Sequence, residues 1–388
     1  MAEAVYRGRG AGVPYDEYIA LINEVFGFDG VEQDFRTLLP KLYRPGRTPQ
    51  NENYVAVEDG VCVAAVGAYS HEIRVCGTII PCRGIGNVAV AREARGRGYM
   101  KDCMRMALTD MVRDGIALST LGGRRQRYRY FGYEKAGICY TFAVNADNLR
   151  HTLGADYVSG LDIRQVNADD ETLLTAIRTL SSSGVYAPIR AAADFFDILS
   201  TWRATVWAAL RDGKLVGYAL RGTDGQISEI RVTDAGELLP FLHALRRHLD
   251  TDTLTLRLPE HEDACLRVLA SVAEGCQIGC SMSYNVLNYR LVCDAFFNLR
   301  ATYAPLPDGN LTVCIHGLAG DERLSLSVRD GVPSVLPSEP GREPELELSH
   351  VEAMELLFAP FSPGRRKLSP AVQAWLPLPI WMYKADEV

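Results

Sequence analysis

Two arginines and two glycines, Arg95-Gly96-Arg97-Gly98, form the segment of this sequence best suited to hold a phosphate group. Glycines let backbone N–H groups approach an anion, and guanidinium groups match the geometry of pyrophosphate. The segment follows the apolar run Val88-Ala89-Val90 and precedes apolar residues at helical spacing from Tyr99 to Val112. An arginine-glycine turn is also common in solvated surface loops, but between a strand and a helix N-terminus it predicts a phosphate site. The spacing fits neither a dinucleotide fingerprint nor a P-loop.

A second unusual segment, Gly122–Tyr133, alternates arginine with tyrosine. Such a run can stack on a nucleic acid, but the net charge of −7 and the lack of a wider basic tract argue against that. The alternative interpretation places it beside the phosphate site, since the carboxyl ends of neighbouring parallel strands meet at one edge of a sheet. Tyr128 then lies near the reactive end of the ligand, whereas Phe131 and Tyr133 are expected to be core residues.

The elements that position these segments are predicted over residues 1–145. Residues 16–25 are expected to form a helix, and a second short helix ends at Pro40. Two hairpins follow, with strands at 54–57, 61–69, 71–75 and 78–81. Beyond Val88–Val90 and the turn, a helix is stopped near Arg113 by Gly115, and residues 116–121 form a further strand.

The composition limits the kind of protein. With 388 residues, 47% hydrophobic and 23% charged, the chain is expected to form two or three globular domains. It has neither an apolar run of about 20 residues nor a signal-like N-terminus, which predicts a cytoplasmic protein that does not enter a membrane. Ten scattered cysteines indicate buried free thiols and no metal site. The acidic net charge mildly favours cationic ligands.

The order of these elements, with the R-G-x-G turn at its centre, resembles the GNAT superfamily of acetyl-CoA-dependent acyltransferases. Glu93 stands where that pattern usually has Gln or Arg, a departure that weakens one phosphate contact. Two further motifs, Asp34–Pro40 and Tyr128-x-x-Phe131-Gly132-Tyr133, resemble the Eis (enhanced intracellular survival) family. The resemblance implies a mixed α/β and α+β chain of tandem GNAT-like mixed-sheet domains, followed by a small α+β domain similar to sterol carriers.

Residues 146–287 are expected to form the second GNAT-like domain, entered through a linker at 146–154. A hairpin, 206–211 and 215–220, is followed by a strand at 227–232, which repeats the order seen at 54–69 and 88–90. The next segment, Thr233–Leu238, has no arginine-glycine turn and carries two acidic residues. Because acidic groups repel pyrophosphate, this domain is predicted to bind no coenzyme.

Residues 288–388 are predicted to form a helix from Asp294, strands at 311–315 and 324–328, and a helix at 349–358 with the capping box Ser349-x-x-Glu352. By resemblance this is the sterol-carrier-like domain, and it supplies the C-terminus to the active site.

The resemblance also assigns chemistry to individual residues. A backbone N–H on the strand at 88–90 stabilises the oxyanion of an acetyl transfer, Tyr128 acts as general acid, and the carboxylate of Val388 acts as base. We expect Arg124, Arg127 and Arg129 to lower the pKa of Tyr128. Phe35 and Glu387 are expected to contact the substrate. The predicted acetyl-CoA contacts are Val88, Ala89, Val90, Arg95, Gly96, Arg97, Gly98, Tyr99, Met100, Lys101, Gly123 and Arg124.

The function so implied is an N-acetyltransferase for a small cationic amine, similar to an aminoglycoside or a polyamine. The resemblance further implies a homohexamer, with no metal and no nucleic acid. One alternative is a lysine or peptide N-acetyltransferase. The other is a non-catalytic acyl-CoA or lipid binder, which requires a continuous apolar cavity in residues 288–388.

Overall fold

The computed structural model describes residues 5–27, 33–339 and 341–388. Its first part alternates helices with long antiparallel strands. The strands are β1 Val5–Arg9, β2 Asn53–Glu58, β3 Val61–Val75, β4 Thr78–Val90, β5 Leu118–Leu121 and β6 Glu134–Asn145. The helices are α1 Tyr15–Phe26, α2 Phe35–Leu38, α3 Pro40–Tyr43, α4 Tyr99–Arg113 and α5 Arg125–Tyr128. The structure confirms the helix predicted at 16–25 and the helix that ends before Gly115. It also confirms the predicted strand at 88–90, which is the end of β4.

Three local predictions for this part need correction. Both predicted hairpins are present but share one strand, because residues 61–75 form the single strand β3. Residues 78–90 likewise form the single strand β4, where two separate strands at 78–81 and 88–90 are predicted. Long paired strands need no break where one face stays buried, and β3 and β4 keep their register from Val75–Thr78 to Ala64–Val90 apart from one bulge. Pro40 ends α2 but also begins α3, since proline fits the first helical position.

The second part contains five helices and seven strands. The helices are α6 Ala146–Leu153, α7 Glu171–Ser181, α8 Phe195–Leu199, α9 Leu238–His248 and α10 Asp263–Ala270. The strands are β7 Asp162–Gln165, β8 Tyr186–Ile189, β9 Thr205–Arg211, β10 Lys214–Arg221, β11 Gln226–Val232, β12 Thr253–Pro259 and β13 Cys276–Val286. The linker predicted at 146–154 is wrong, because α6 occupies it and is fixed by a reciprocal Asn145–Asn148 capping box.

The second part repeats the topology of the first. In both parts three strands pair antiparallel, and a helix then leads to a fourth strand that pairs parallel with the third. These sets are β2-β3-β4-β5 across α4 and β9-β10-β11-β12 across α9. After β11, Asp234 caps the backbone at Gly236, and Glu237 forms an ion pair with Arg211. The tandem GNAT-like architecture predicted from the sequence is confirmed at the level of fold.

One sheet unites the two parts. Its strand order is β1-β2-β3-β4-β5-β13-β6-β12-β11-β10-β9-β7, and β8 pairs with β3. Strand β13, from the second part, lies between β5 and β6 of the first part and pairs antiparallel with both. The boundary predicted at residues 145 and 146 therefore divides the sequence but not the sheet.

The third part packs helices on a second sheet. It contains α11 Tyr289–Ala301, β14 Gly309–Gly317, β15 Gly320–Arg329, β16 Val332–Pro337, β17 Leu346–Ser349, α12 His350–Phe358 and α13 Pro370–Trp375. Ser349 and Glu352 form the predicted capping box. Residues 376–383 have no helix or strand and lie almost fully buried in a core that also includes Ile73 and Cys82 of the large sheet. This buried segment brings residues 384–388 to the first part of the chain, which contains β3 and β4.

Candidate active site

Strands β4 and β5 separate where the chemistry is predicted. They pair parallel only over Cys82–Ile85 and Leu118–Leu121, and β4 then continues to Val90 after β5 has ended. The edge of Val88–Val90 that faces away from β3 is therefore left without a ladder partner among the described strands. Backbone N–H and C=O groups on such an edge are available to bind an extended ligand.

A β-bulge at Asn87 directly precedes this edge and sets its orientation. The register between β3 and β4 shifts there, and Asn87 has a positive φ of 40°. Its side chain is buried in a polar network: Oδ1 accepts hydrogen bonds from Tyr43 and Tyr69, and Nδ2 donates to Asn53 at 2.7 Å. Tyr18 joins the tyrosine hydroxyls at 3.1–3.3 Å. A network with these groups satisfied fixes one geometry, so it holds the amide of Val88 in place.

The predicted phosphate site lies at the start of α4. Gly96 and Gly98 have φ values of 85° and 87°, which glycine adopts freely. Arg97 binds Glu58 at 2.7 Å, and the Tyr99 hydroxyl binds the same carboxylate. These contacts fix the turn in front of α4, a 15-residue helix whose first N–H groups have no partner within the helix and whose dipole favours an anion at this end.

Further groups line this helix start. The Arg95 Nε donates to the Val90 carbonyl at 3.4 Å, and the Lys101 ammonium lies 5.5 Å from the centre of the Tyr130 ring. Met100 packs against the apolar cluster that contains Tyr128, as does Val88. The residues present thus fit a nucleotide-linked pyrophosphate with an acyl arm that runs toward Tyr128.

Tyr128 lies at the end of α5, with 6% of its surface exposed. Its ring packs on Gly123, whose φ is 146° and where a Cβ would approach the ring to 2.6 Å. Arg124 caps α5 through its carbonyl. Burial raises the pKa of Tyr128 above its usual value, and Arg127 only partly opposes this. Of the three arginines expected to lower this pKa, Arg127 does so, but burial outweighs it and the net shift is upward.

The neighbouring arginines serve another purpose. Arg125 and Arg129 both bind the buried carboxylate of Glu134, and both also reach Glu355 of α12. They join the first part of the chain to the third through these two carboxylates.

The C-terminal residue lies against β4. A Cβ placed on Gly86 would be 2.8 Å from the carboxyl carbon of Val388, and one on Gly84 would be 2.6 Å from its Cγ2. Neither glycine has a positive φ. A side chain is therefore excluded at these positions because Val388 packs directly against the backbone of β4, and not because the backbone conformation requires glycine. The Val388 carboxyl group thus lies beside the bulge that leads into the open edge of β4.

Charged side chains that sequence reasoning missed hold this tail. Arg190 binds Asp386 at 2.8 Å and Glu229 at 2.7 Å, and these side chains are 2%, 8% and 1% exposed. Lys41 Nζ donates to the carbonyls of Ala385 and Glu387 at 2.7 and 2.6 Å. Burial alone raises the pKa of Asp386, but Arg190 outweighs it and holds that pKa below its usual value.

A cavity of about 210 Å³ opens beside Val388. It lies between β3, α3 and the segment from Ile189 to Ile198, and Asp386 is one of the residues that line it. Two predicted substrate residues do not line it. Phe35 is 3% exposed and packs edge-on against Tyr43. Glu387 interacts electrostatically with Lys384, Arg257 and Lys41, but it is not one of the residues that line the cavity. A substrate contact for these two residues stays a prediction.

Glu387 provides a test of this placement. Burial raises its pKa from the usual 4.5 to about 7. In the unfolded chain the carboxyl ionises near 4.5, so folding becomes less favourable as pH rises from there to about 7, and the loss stays constant above that. Above pH 7 we expect Glu387→Gln to have a free energy of unfolding up to about 3 kcal/mol higher than the wild type, and therefore a higher unfolding temperature. The difference should vanish below pH 4.5.

The control for this measurement is Glu343→Gln, at an exposed carboxylate. It should show a small difference that does not depend on pH. Thermal unfolding followed from pH 4 to pH 8.5 measures both variants, and equal pH profiles for the two would contradict the buried position of Glu387.

The comparisons with known proteins agree with this geometry. Residues 14–136 match the family model described as acetyltransferase (GNAT) domain. The chain therefore contains a GNAT acetyltransferase domain, a fold that supports acyl transfer from a CoA thioester. None of the curated proteins matches the chain.

Solved structures show the same fold over nearly the whole chain. A GCN5-related N-acetyltransferase from Anabaena variabilis ATCC 29413 is 16% identical, with a TM-score of 0.65 and 98% of each chain covered. Eis1 from Mycobacterium abscessus is 13% identical, with a TM-score of 0.62 and the same coverage. A GCN5-related N-acetyltransferase from Kribbella flavida is 20% identical, with a TM-score of 0.59, and the match covers 89% of this chain and 86% of that one.

No helix among the described residues is both long and apolar enough to cross a bilayer, and no group of three or more His, Cys, Asp or Glu side chains among them is arranged to hold a metal ion.

Proposed function

We propose that the chain is an acetyl-CoA-dependent N-acetyltransferase that transfers an acetyl group directly to an amine of a cationic substrate in a ternary complex. One observation carries this proposal: the carboxyl group of Val388 lies against Gly86, beside the open edge of β4. An amine held at that carboxylate would stand next to the strand edge where an acyl arm can bind. With its carboxyl group free, Val388 is the proposed base.

Acetyl-CoA, when bound, supplies the acetyl group as an activated thioester. The chain's own part begins with the N–H groups of 88–90, which stabilise the negative charge that develops on the acyl oxygen. The Val388 carboxylate binds the ammonium form of the substrate and takes its first proton, which frees the nitrogen lone pair for attack. The nitrogen loses a second proton as the amide forms, and that proton replaces the one that the acid gives to the departing sulfur. The phosphate groups would be held by the N–H groups at the start of α4.

Tyr128 is the proposed acid. Because burial raises its pKa, the phenol keeps its proton at neutral pH, and it can deliver that proton to the departing sulfur. The raised pKa also makes the Tyr128 phenol a weaker proton donor than an ordinary tyrosine. The transfer therefore requires that the hydroxyl lie close to the sulfur and that water be excluded.

The finer assignment follows the Eis resemblance, which the fold similarity to Eis1 supports. We propose an Eis-type enzyme in which residues 288–388 form a sterol-carrier-like domain that delivers the tail. Aminoglycosides and polyamines belong to the proposed substrate class, and a homohexamer in the cytoplasm is the proposed assembly and location.

The alternative of a lipid binder requires space inside the third part. The inner face of its sheet is filled instead, since Leu311, Val313 and Leu326 are each at most 2% exposed and pack in one cluster with Trp375. This packing favours a structural role for the third part. A lysine or peptide N-acetyltransferase remains within the proposed reaction and differs only in the acceptor.

The test is CoA release from acetyl-CoA with a panel of acceptors: an aminoglycoside, a polyamine, a simple alkylamine and a lysine peptide. Turnover with a free amine supports the proposal, and turnover with the peptide alone would move the assignment to a peptide acetyltransferase. CoA binding without turnover on any amine would overturn the catalytic assignment.

Tyr128→Phe tests the proposed acid. We expect it to lower kcat about 100-fold or more while the affinity for CoA changes little, because one hydroxyl is lost and the ring still packs on Gly123. Tyr130→Phe is the matched control, since Tyr130 is two residues away and 63% exposed. A fall in kcat of the same size in both variants, or in neither, would remove Tyr128 from the mechanism.

A further inference from the structure

The cavity beside Val388 is small and mostly apolar apart from its charged end. Its volume of about 210 Å³ is below the range of roughly 300–1,000 Å³ usual for ligand pockets. Leu42, Ile189, Ile198 and the Tyr69 ring form much of its wall. Such a wall suits a compact hydrocarbon body and offers few partners to a second polar group.

The charges around the cavity largely cancel. Lys41 and Arg190 carry two positive charges, and Asp386 and Glu229, which both bind Arg190, carry two negative charges. Lys41 also donates hydrogen bonds to two tail carbonyls. Asp194, another residue of the lining, is bound by Arg44 and Arg47. These acidic groups are therefore occupied and do not form an anionic surface that would draw in a polycation.

Two observations leave one anionic position. Burial lowers the pKa of His71, another wall residue, to about 4, so its imidazole is uncharged at neutral pH. The carboxyl group of Val388 has no ion-pair partner within the part of the chain that the structure describes. When it is free, it is the one charge among the described lining residues that these pairings leave uncompensated.

We propose that this cavity selects amines that carry a single ammonium group on a compact apolar body. The inference rests on the proposed function and narrows its substrate class, which the resemblance extends to polyamines and aminoglycosides. The one ammonium group binds at Val388, and the body contacts the wall formed by Leu42, Ile189 and Ile198. A second ammonium group would be desolvated without a free carboxylate, and it would approach Lys41, whose hydrogen-bond partners are neutral carbonyls.

A matched pair of acceptors tests this selection. n-Pentylamine and 1,5-diaminopentane have the same carbon chain and differ only in the second amino group. At saturating acetyl-CoA we expect kcat/KM to be at least about 10-fold higher for the monoamine, although the diamine offers two equivalent amines. An equal or higher kcat/KM for the diamine overturns the inference and leaves the N-acetyltransferase standing. If neither of these amines nor any acceptor of the wider panel is acetylated, the proposed function itself is overturned.

A charge added to the wall provides the second readout. Ile189 lines the cavity and is 45% exposed, so Ile189→Glu should fold and add a carboxylate for a second ammonium. We expect this variant to lower the preference for the monoamine at least about 5-fold. Ile278→Glu, at a residue that is 62% exposed and not part of this wall, is the control and should leave the preference unchanged. An equal preference for the monoamine in the wild type, Ile189→Glu and Ile278→Glu would contradict selection by this cavity.

Discussion

Gly86→Ala is expected to reduce turnover at least about 100-fold while acetyl-CoA still binds. A Cβ at this position would lie 2.8 Å from the carboxyl carbon of Val388, closer than such atoms approach in proteins, so the tail must move. A base displaced by an ångström or more loses most of its contribution, which is typically 10²- to 10⁴-fold. Initial rates and CoA affinity, measured on the same preparation, separate the loss of the base from loss of the fold.

Two comparisons make this result specific. Gly279→Ala also adds a methyl group to a strand glycine, but with no atom within 4 Å, and should keep full activity. Deleting Val388 should cost as much as Gly86→Ala, and combining the two changes should cost no more than either alone, because both act through one carboxylate. Additive losses would mean that Gly86 acts by some route other than Val388.

Arg190→Met is expected to destabilise the chain by about 3–5 kcal/mol and to abolish most turnover. The substitution leaves the carboxylates of Glu229 and Asp386 buried without their cation, and removing one partner of a buried ion pair costs about this much. Equilibrium denaturation measures the loss of stability. Because Asp386 lies two residues from Val388, the tail should also detach below the unfolding midpoint, so activity should fall before the global transition.

The control replaces an arginine in an exposed pair. Arg267 binds Asp263 at 2.8 Å one helical turn away, and its side chain is 74% exposed, so Arg267→Met should cost at most about 0.5 kcal/mol. In the Arg190→Met background, Glu229→Gln should restore part of the stability by removing one unpaired charge. A loss below about 1 kcal/mol for Arg190→Met would contradict the buried cluster.

The phosphate site could be predicted from the sequence because all its parts are local. A short apolar run, two glycines with positive φ and a helix start follow one another from Val88 to Lys101, and each has a pattern of its own. The long strand β3 was divided wrongly because polar residues near His71 interrupt its apolar pattern, although tertiary pairing continues through them.

The proposed base and its supports could not be found in this way. Val388 was reached only through the family resemblance, since no spacing links it to Gly86. Lys41 and Arg190 belong to no motif, and a charged residue in a sequence is normally read as exposed. Their burial depends on partners far away along the chain. The Asn87 network is similar: an asparagine beside a glycine suggests a turn, and only the fold shows the three tyrosines around it.

The position of β13 between β5 and β6 has a consequence for how the chain reaches its native state. The central edge of the large sheet stays open until this strand, distant in sequence from β5, has been made and docked. Contacts of such high sequence separation slow folding, and the exposed edges of β5 and β6 invite intermolecular pairing in the meantime. Fragments that stop before β13 should therefore aggregate, and the intermediates of the full chain should need protection by chaperones most while β13 is still absent.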